Sequence, residues 1–279
     1  MPNSSVLWVI SLSTILSSAS LPIDLTTVIA QLDISKALVA QQENPTKDKQ
    51  LSNQNKPKHI IDFKANSMNE WMVMVNNQPT FVVKDLPNAM ITATKLSVIM
   101  NAPDFDPDYL EPIVINNEYI GKYKDAILFK VAKGEVANAS LNLTQWINNL
   151  RVSTGAEPLT LVEAQQQMYR LAYTGEEING IASWYGPYFQ GRQTASGEQF
   201  EQQDFTAAHP SLPFDTYLKV TNQSNGKSVV VRINDRGPYF GDRNLDLSHA
   251  AAIALNSDEV GVVPITAAVL VSANNESFY

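Results

Sequence analysis

At 279 residues the chain exceeds the usual single-domain length, so two folded units are expected, and an apolar fraction of 44% is enough to give each a core. The net charge of −8, from 28 acidic against 20 basic residues, argues against nucleic acid or an anionic membrane surface as a partner. Without cysteine there are no disulfides and no Cys-ligated metal. His59, His209 and His249 lie too far apart in sequence for metal-ligand spacing, so neither a metal nor a cofactor is expected.

In chain order, Val6-Leu7-Trp8-Val9-Ile10 and the apolar or small residues to Leu16 form an h-region, and Ser17-Ser18-Ala19-Ser20 supplies small residues for cleavage. A signal peptide over residues 1–20 is expected on that pattern, although no Lys or Arg precedes it; a first core helix is the other reading. The segment is too short for a bilayer span and no other stretch is long enough, so no transmembrane anchor is expected. Residues 21–58 read as a disordered or weakly helical tether: Val28, Leu32 and Leu38 have helical spacing, and Gln41 to Lys58 is almost wholly polar.

From 60 to 152 the pattern is that of a small α+β domain. Trp71 to Val75, Asn76-Asn77 and Thr80 to Val83 read as a hairpin with a positive-φ turn, and Pro87 to Met100 as a helix with Asp85 close to its start. Ile113 to Ile115, Asn116-Asn117, Tyr119 to Gly121 and Ala126 to Val131 repeat the hairpin theme, and Leu143 to Leu150 reads as a second helix. The Asp104-Phe105-Asp106-Pro107-Asp108 run has neither the glycine nor the distal glutamate of a cation loop and reads as a solvated loop. This region contains no catalytic constellation. Thr160-Leu161-Val162-Glu163 has the form of a capping box, opening a connecting helix within residues 153–177 that runs to about Leu171.

Beyond it, residues 178–273 read as short, turn-bounded strands: Gly180 to Tyr185, Phe205 to Ala208, Tyr217 to Thr221, Ser228 to Ile233 and Val263 to Val271, with Ser248 capping a helix over His249 to Leu255. The most informative residues are Asn234-Asp235-Arg236-Gly237-Pro238, an acid at the abrupt end of the apolar run Val229-Val230-Val231-Arg232-Ile233. Three islands accompany them: Ala182-Ser183-Trp184-Tyr185-Gly186, Gly191-Arg192-Gln193-Thr194-Ala195-Ser196-Gly197-Glu198 and Thr206-Ala207-Ala208-His209. In this order, with Leu212-Pro213 and Val220 to Ser228 between them and Leu245-Asp246-Leu247-Ser248 after, they resemble the rare lipoprotein A family of bacterial envelope proteins.

That resemblance, over about a third of the chain, implies a mainly β C-terminal domain, a six-stranded double-psi β-barrel, preceded here by the small α+β domain. It also implies a periplasmic or wall-associated lytic transglycosylase that cuts peptidoglycan glycan strands at the β-1,4 bond from N-acetylmuramic acid to N-acetylglucosamine, leaving 1,6-anhydro ends. Envelope or division proteins are further candidate partners. Relatives are often anchored through an N-terminal cysteine and often have a sporulation-related repeat behind the barrel; neither a lipobox nor that repeat is expected here. The acid excess of residues 178–279, ten Asp/Glu against six Lys/Arg, favours gripping a glycan by stacking and hydrogen bonds.

The nucleophile of such a cleavage is the substrate's own C6 hydroxyl, so one acid/base carboxyl can suffice. Asp235 matches the family's functional Asp and is the expected acid/base; the alternative is a structural Asp that accepts backbone N–H bonds or pairs with Arg236. Glu198 matches a second groove carboxylate, against a solvated turn residue, and His209 matches a groove imidazole, against a strand histidine bonded to backbone. Trp184 and Tyr185 are the expected sugar platform, or else core aromatics. Arg192, Thr194 and Asn234 complete the expected substrate-binding set with Arg236, although Arg236 and Arg243 also read as ion-pair partners of Asp246 and Asp242. An expansin-like module that grips wall polysaccharide without cutting it is the rival reading, since a fold does not decide between the two.

Overall fold

The computed structural model describes residues 57–273, apart from positions 132, 133, 135 and 240. The expected signal peptide and nearly all of the expected tether lie outside the described residues. Among those residues no helix is long and apolar enough to cross a membrane.

Two three-stranded antiparallel sheets open the structure: β1 (Ile61–Ser67), β2 (Glu70–Val75) and β3 (Gln78–Lys84), then β4 (Leu110–Ile115), β5 (Glu118–Tyr123) and β6 (Ala126–Val131). Each contains an Asn-Asn hairpin. Asn76 and Asn77 have φ of 51° and 63°, and Asn116 and Asn117 have φ of 50° and 62°, the left-handed pair that a two-residue turn between twisted strands demands and that Asn tolerates. Strand β1 was not expected: only its first three residues alternate in burial and the rest are exposed, so its sequence lacks the apolar period of a strand.

Helix α1 (Leu86–Met100) starts where Asp85 accepts the Asn88 N–H at 2.8 Å, and α2 (Ala139–Thr154) starts at Asn138 and stops at Gly155, whose φ of 96° is left-handed. Both helices face a core in which Phe81, Leu96, Met100, Leu143, Ile147 and Leu150 are fully buried. Each such side chain contributes about 1.5–3 kcal/mol relative to exposure.

Helix α3 (Leu161–Tyr169) has the complete capping box: Glu163 N–H donates to Thr160 Oγ1, and Thr160 N–H donates to the Glu163 carboxylate. It ends at Arg170, whose φ of 52° turns the chain directly into a strand, so the regular structure of the barrel begins at Leu171 and the helix stops short of that residue. The closed barrel runs in the order β10-β8-β11-β7-β12-β9, where β7 is Leu171–Trp184, β8 Thr206–Ala208, β9 Tyr217–Asn222, β10 Ser228–Asp235, β11 Leu245–Leu247 and β12 Val263–Ser272. The β10/β8 and β11/β7 pairs are parallel and the other four are antiparallel. This is the six-stranded double-psi β-barrel. Its interior is filled by small and branched side chains such as Leu218, Val229, Val231, Ile233, Leu247 and Ile265. Helix α4 (His249–Ala254), capped by Ser248, covers part of it. Gly180 is required by close approach: a Cβ there would stand 1.7 Å from Asn244 Oδ1, the atom that accepts the Ile181 N–H.

Candidate active site

Strand β10 carries its apolar residues inward, leaving Asp235 at its end, half-buried. The pairing of β10 with β8 shifts register between Ile233 and Asp235, an irregularity of the kind that re-aims a side chain at a sheet rim. Asp235 Oδ1 accepts the backbone N–H of Ala195 and of Arg236, each at 2.8 Å, and Oδ2 accepts the Tyr185 hydroxyl at 3.0 Å. A carboxylate offers about four lone-pair positions, so three donors fix its plane and leave about one for an outside hydroxyl. The carboxylate is partly exposed where the strand ends, four residues before the exposed Tyr239.

Burial, then the neighbouring Asp235 charge, pushes the Tyr185 hydroxyl far above the usual phenol range, so it remains a protonated donor to Oδ2 at any working pH. Its ring packs between Phe189 and Phe200 at 5.2 and 4.9 Å between centroids. Tyr185 thus grips the acid with its polar end and the protein with its ring.

The loop from Gly191 to Phe200 supplies the Ala195 donor and is stitched to β10. Thr194 N–H donates to Glu198 O at 2.7 Å and Ser196 N–H to Asn234 O at 3.3 Å, while Gly197 takes the φ of 94° that closes the turn. Glu198 does not act as a solvated turn residue. Its carboxylate pairs with both ends of the Arg232 guanidinium at 2.8 and 2.7 Å and accepts from Asn234 Nδ2 at 3.2 Å, and Arg232 also donates to Asp215 at 2.8 Å. Burial opposes the Arg232 charge, but these hydrogen bonds outweigh it and raise the pKa.

Several expected substrate contacts are taken up by the protein itself. Trp184, half-buried and expected as a sugar platform, stacks on His249 at 4.8 Å and donates its indole N–H to Asp258 O. Thr194 and Asn234, expected as substrate contacts, are 6% and 3% exposed and are hydrogen-bonded within the loop and to Glu198. Arg236 donates to the carbonyls of His209 and Leu212 and lies 3.8 Å over the Phe214 ring, which fastens the segment after β8 to the end of β10. Of the expected pairs, Arg243 with Asp246 is present at 3.5 Å.

His209 sits beside Asp235 through its backbone, donating N–H to Asp235 O at 3.2 Å. Its Nδ1 accepts the N–H groups of Ser211 and Leu212 at 3.1 and 2.9 Å, which assigns the neutral ring a proton on Nε2. Burial, then the Arg236 charge, holds its pKa below the ordinary 6.5. Arg192 is exposed, 5.4 Å over the Phe189 ring. Tyr188 and Tyr239 are 84% and 76% exposed, and Tyr239 acts on the Tyr185 hydroxyl electrostatically. Sequence reasoning missed Tyr239 as a candidate sugar platform; its signal was an aromatic placed directly after the turn that follows Asp235. Among the described residues no group of three or more His, Asp or Glu side chains is arranged to hold a metal.

Comparison with known proteins adds a family. The model of a family described as lytic transglycolase matches residues 177–267. A protein named probable endolytic peptidoglycan transglycosylase RlpA, from Synechocystis sp., is 42% identical over 207 residues, 69% of this chain and 64% of its own length. Endolytic peptidoglycan transglycosylase RlpA of Campylobacter jejuni is 48% identical over 96 residues, 34% of this chain and 35% of its own, and that of Pseudomonas aeruginosa is 52% identical over 86 residues, 31% and 25%. The chain therefore spans just under two thirds of the first of these relatives and about a third or less of the other two. Among solved structures, an apo expansin of Clavibacter michiganensis overlaps at a TM-score of 0.29 with 26% identity, over 35% of this chain and 52% of that one.

Proposed function

We propose that this chain, which is similar to the RlpA proteins over its double-psi β-barrel, is an endolytic peptidoglycan transglycosylase with Asp235 as its acid/base. The observation that carries this reading is the partly exposed Asp235 carboxylate at the end of β10, held by Ala195, Arg236 and Tyr185 with acceptor capacity left over. In the proposed step a proton passes from the Asp235 carboxyl to the bridging oxygen as the bond from C1 of the N-acetylmuramic residue to that oxygen breaks. The C6 hydroxyl of the same residue closes on C1, and its proton returns to Asp235. The balance consumes no water and yields a 1,6-anhydro end and a free C4 hydroxyl.

In this reading Glu198 acts as a positioning residue. Paired with Arg232 and hydrogen-bonded by Asn234, it anchors the loop whose Ala195 N–H holds Asp235. Exposed Tyr188, Tyr239 and Arg192, each within four residues in sequence of Tyr185, Ala195 or Asp235, are the proposed sugar contacts. On this reading the protein works outside the inner membrane, in the periplasm or at the wall.

The test is incubation of the full chain with purified sacculi and with glycan stripped of peptides. Soluble products ending in 1,6-anhydro-N-acetylmuramic acid are expected, and Asp235→Asn should slow their release by about 100-fold or more. No product from either substrate rejects the enzyme. Binding to sacculi that Asp235→Asn leaves unchanged, again without product, supports a non-cutting wall-binding module.

A further inference from the structure

The chain enters the module through Pro57 to Ile60, just before the edge strand β1, and two asparagines fasten it there. Asn101, the C-cap of α1, accepts the His59 N–H at 2.8 Å and donates its Nδ2 to His59 O at 3.0 Å. Asn76, in the turn between β2 and β3, accepts the Ile60 N–H at 2.9 Å and gives its own backbone N–H to Ile60 O at 2.8 Å. Between these ties lies the His59 ring, 5% exposed and T-shaped against Phe105 at 5.5 Å between centroids.

Backbone groups fix which end of the Asn76 amide faces that ring. Its Oδ1 takes the Ile60 N–H, and its Nδ2 donates to Ser153 O, at the end of α2, at 2.7 Å. The same Nδ2 lies 3.0 Å from His59 Nδ1, so Nδ1 can only accept and the neutral ring has its proton on Nε2. Nε2 is buried with no hydrogen-bond partner among the described residues. An imidazolium has two N–H groups to place, and here one would face a donor and the other nothing. Nor does a carboxylate compensate its charge. Asp104 and Asp106, on either side of Phe105, bind Lys124 and the Asp108 N–H, Asp62 of β1 is exposed, and Arg151 of α2 pairs with Asp108. Burial first, then the charge of exposed Lys58, holds the ring pKa below the ordinary 6.5.

We infer that His59 is an acid-sensitive catch, in which a proton arriving at Nδ1 breaks the Asn76 link and frees residues 57–60 and the start of β1 while the barrel stays folded. The new N–H cannot coexist with the Asn76 Nδ2–H. Turning the amide over gives no escape, because it would set Nδ2 against the Ile60 N–H and Oδ1 against Ser153 O. The unfolded chain takes up this proton more readily than the folded one, so the catch is closed above pH 6.5 and opens as the pH falls through the folded pKa. No group that holds Asp235 takes part. The catch therefore stands apart from the transglycosylase reading.

The experiment follows the 15N-labelled full chain by nuclear magnetic resonance as the pH is lowered from neutral. Ring nitrogen shifts of His59 should show the Nε2–H tautomer at neutral pH and a titration below 6.5. As the ring titrates, hydrogen-exchange protection of the His59, Ile60 and Asn76 amides, corrected for intrinsic exchange, should fall about tenfold or more. Val231 and Ala267 of the barrel should keep theirs over the same range. His59→Gln, whose side-chain oxygen can still accept from Asn76 and does not titrate, should hold the three amides protected in acid. Asn76→Asp, which sets an acceptor against Nδ1, should raise the ring pKa above that of the native chain. A neutral ring protonated on Nδ1, a titration at or above 6.5, protection that ignores the titration, or the same acid loss in His59→Gln overturns the inference. An unshifted ring pKa in Asn76→Asp does so too, and none of these readouts depends on glycan cleavage.

Discussion

The Tyr185 hydroxyl reaches Asp235 across fifty residues of sequence, and among the described residues it is the one side-chain donor on that carboxylate. Tyr185→Phe keeps the ring between Phe189 and Phe200 and deletes only the donor. Turnover on sacculi should fall by about tenfold, the size of a hydrogen bond to a charged group, with substrate affinity and the far-ultraviolet circular dichroism unchanged. Tyr239→Ala should show the opposite split, weaker binding with a smaller loss of turnover, because that ring is exposed and is not among the three donors that hold Asp235. His209 gives a pH-dependent outcome. Its folded pKa is depressed below the unfolded value of 6.5, so the unfolded chain takes up the proton first as the pH falls. The stability it confers is complete above pH 6.5 and is lost on descending through the window between 6.5 and the folded pKa. His59 is shifted in the same direction by burial and by Lys58. Urea midpoints measured down through that window should therefore decline in the native chain and decline less in His209→Gln; equal slopes would refute the assignment. The positions of Asp235, Glu198 and His209 were legible in the sequence because each sits in a short motif. Their partners were not, since Arg232, Asp215 and Ala195 become neighbours only when the barrel closes.

Element boundaries were legible where local chemistry sets them. Asp85 at the start of α1, the two Asn-Asn turns and the Thr160 capping box all act within three or four residues, so the sequence shows them directly. Tertiary pairing decided the rest. Strand β7 begins at Leu171 because β12 is long enough to pair with it from Ala182 to Leu171, and β11 is a strand of three residues only because β7 and β8 flank it. The element that most depends on such pairing is β10 at Val230. There Gln165, 1% exposed on α3, takes the place of a neighbouring strand: its Oε1 accepts the Val230 N–H and its Nε2 donates to Val230 O, both at 2.8 Å. Gln165→Leu leaves both backbone groups buried and unpaired. At about 1–3 kcal/mol for each unpaired group, it should cost roughly 3 kcal/mol in urea denaturation. Thr160→Ala, which removes only a cap at an exposed helix start, should cost about 1 kcal/mol.

At the scale of the molecule, that glutamine is one of several ties between module and barrel. Ala164 and Met168 of α3 are buried in the module core, while Gln165, between them on the same helix, is bonded to the barrel. Asn138, the cap of α2, donates to Gln203 O at 2.5 Å, and a small apolar cluster of Leu171, Val230 and Leu270 packs with Tyr169 and Tyr217 at the same junction. A sequence read element by element suggests two independent units, because each has its own apolar periodicity; the buried polar contacts between them have no periodic signal. With α3 shared in this way, loss of the module removes partners that β10 cannot replace from water. The described residues should therefore unfold as one cooperative unit. In a urea series followed by amide resonances, Val73 and Ile147 of the module and Val231 and Ala267 of the barrel are expected to share one midpoint in the native chain. Gln165→Leu, which cuts the central tie, should draw the two pairs apart. A native chain whose barrel amides persist well after the module amides have vanished would show that the junction carries no cooperativity.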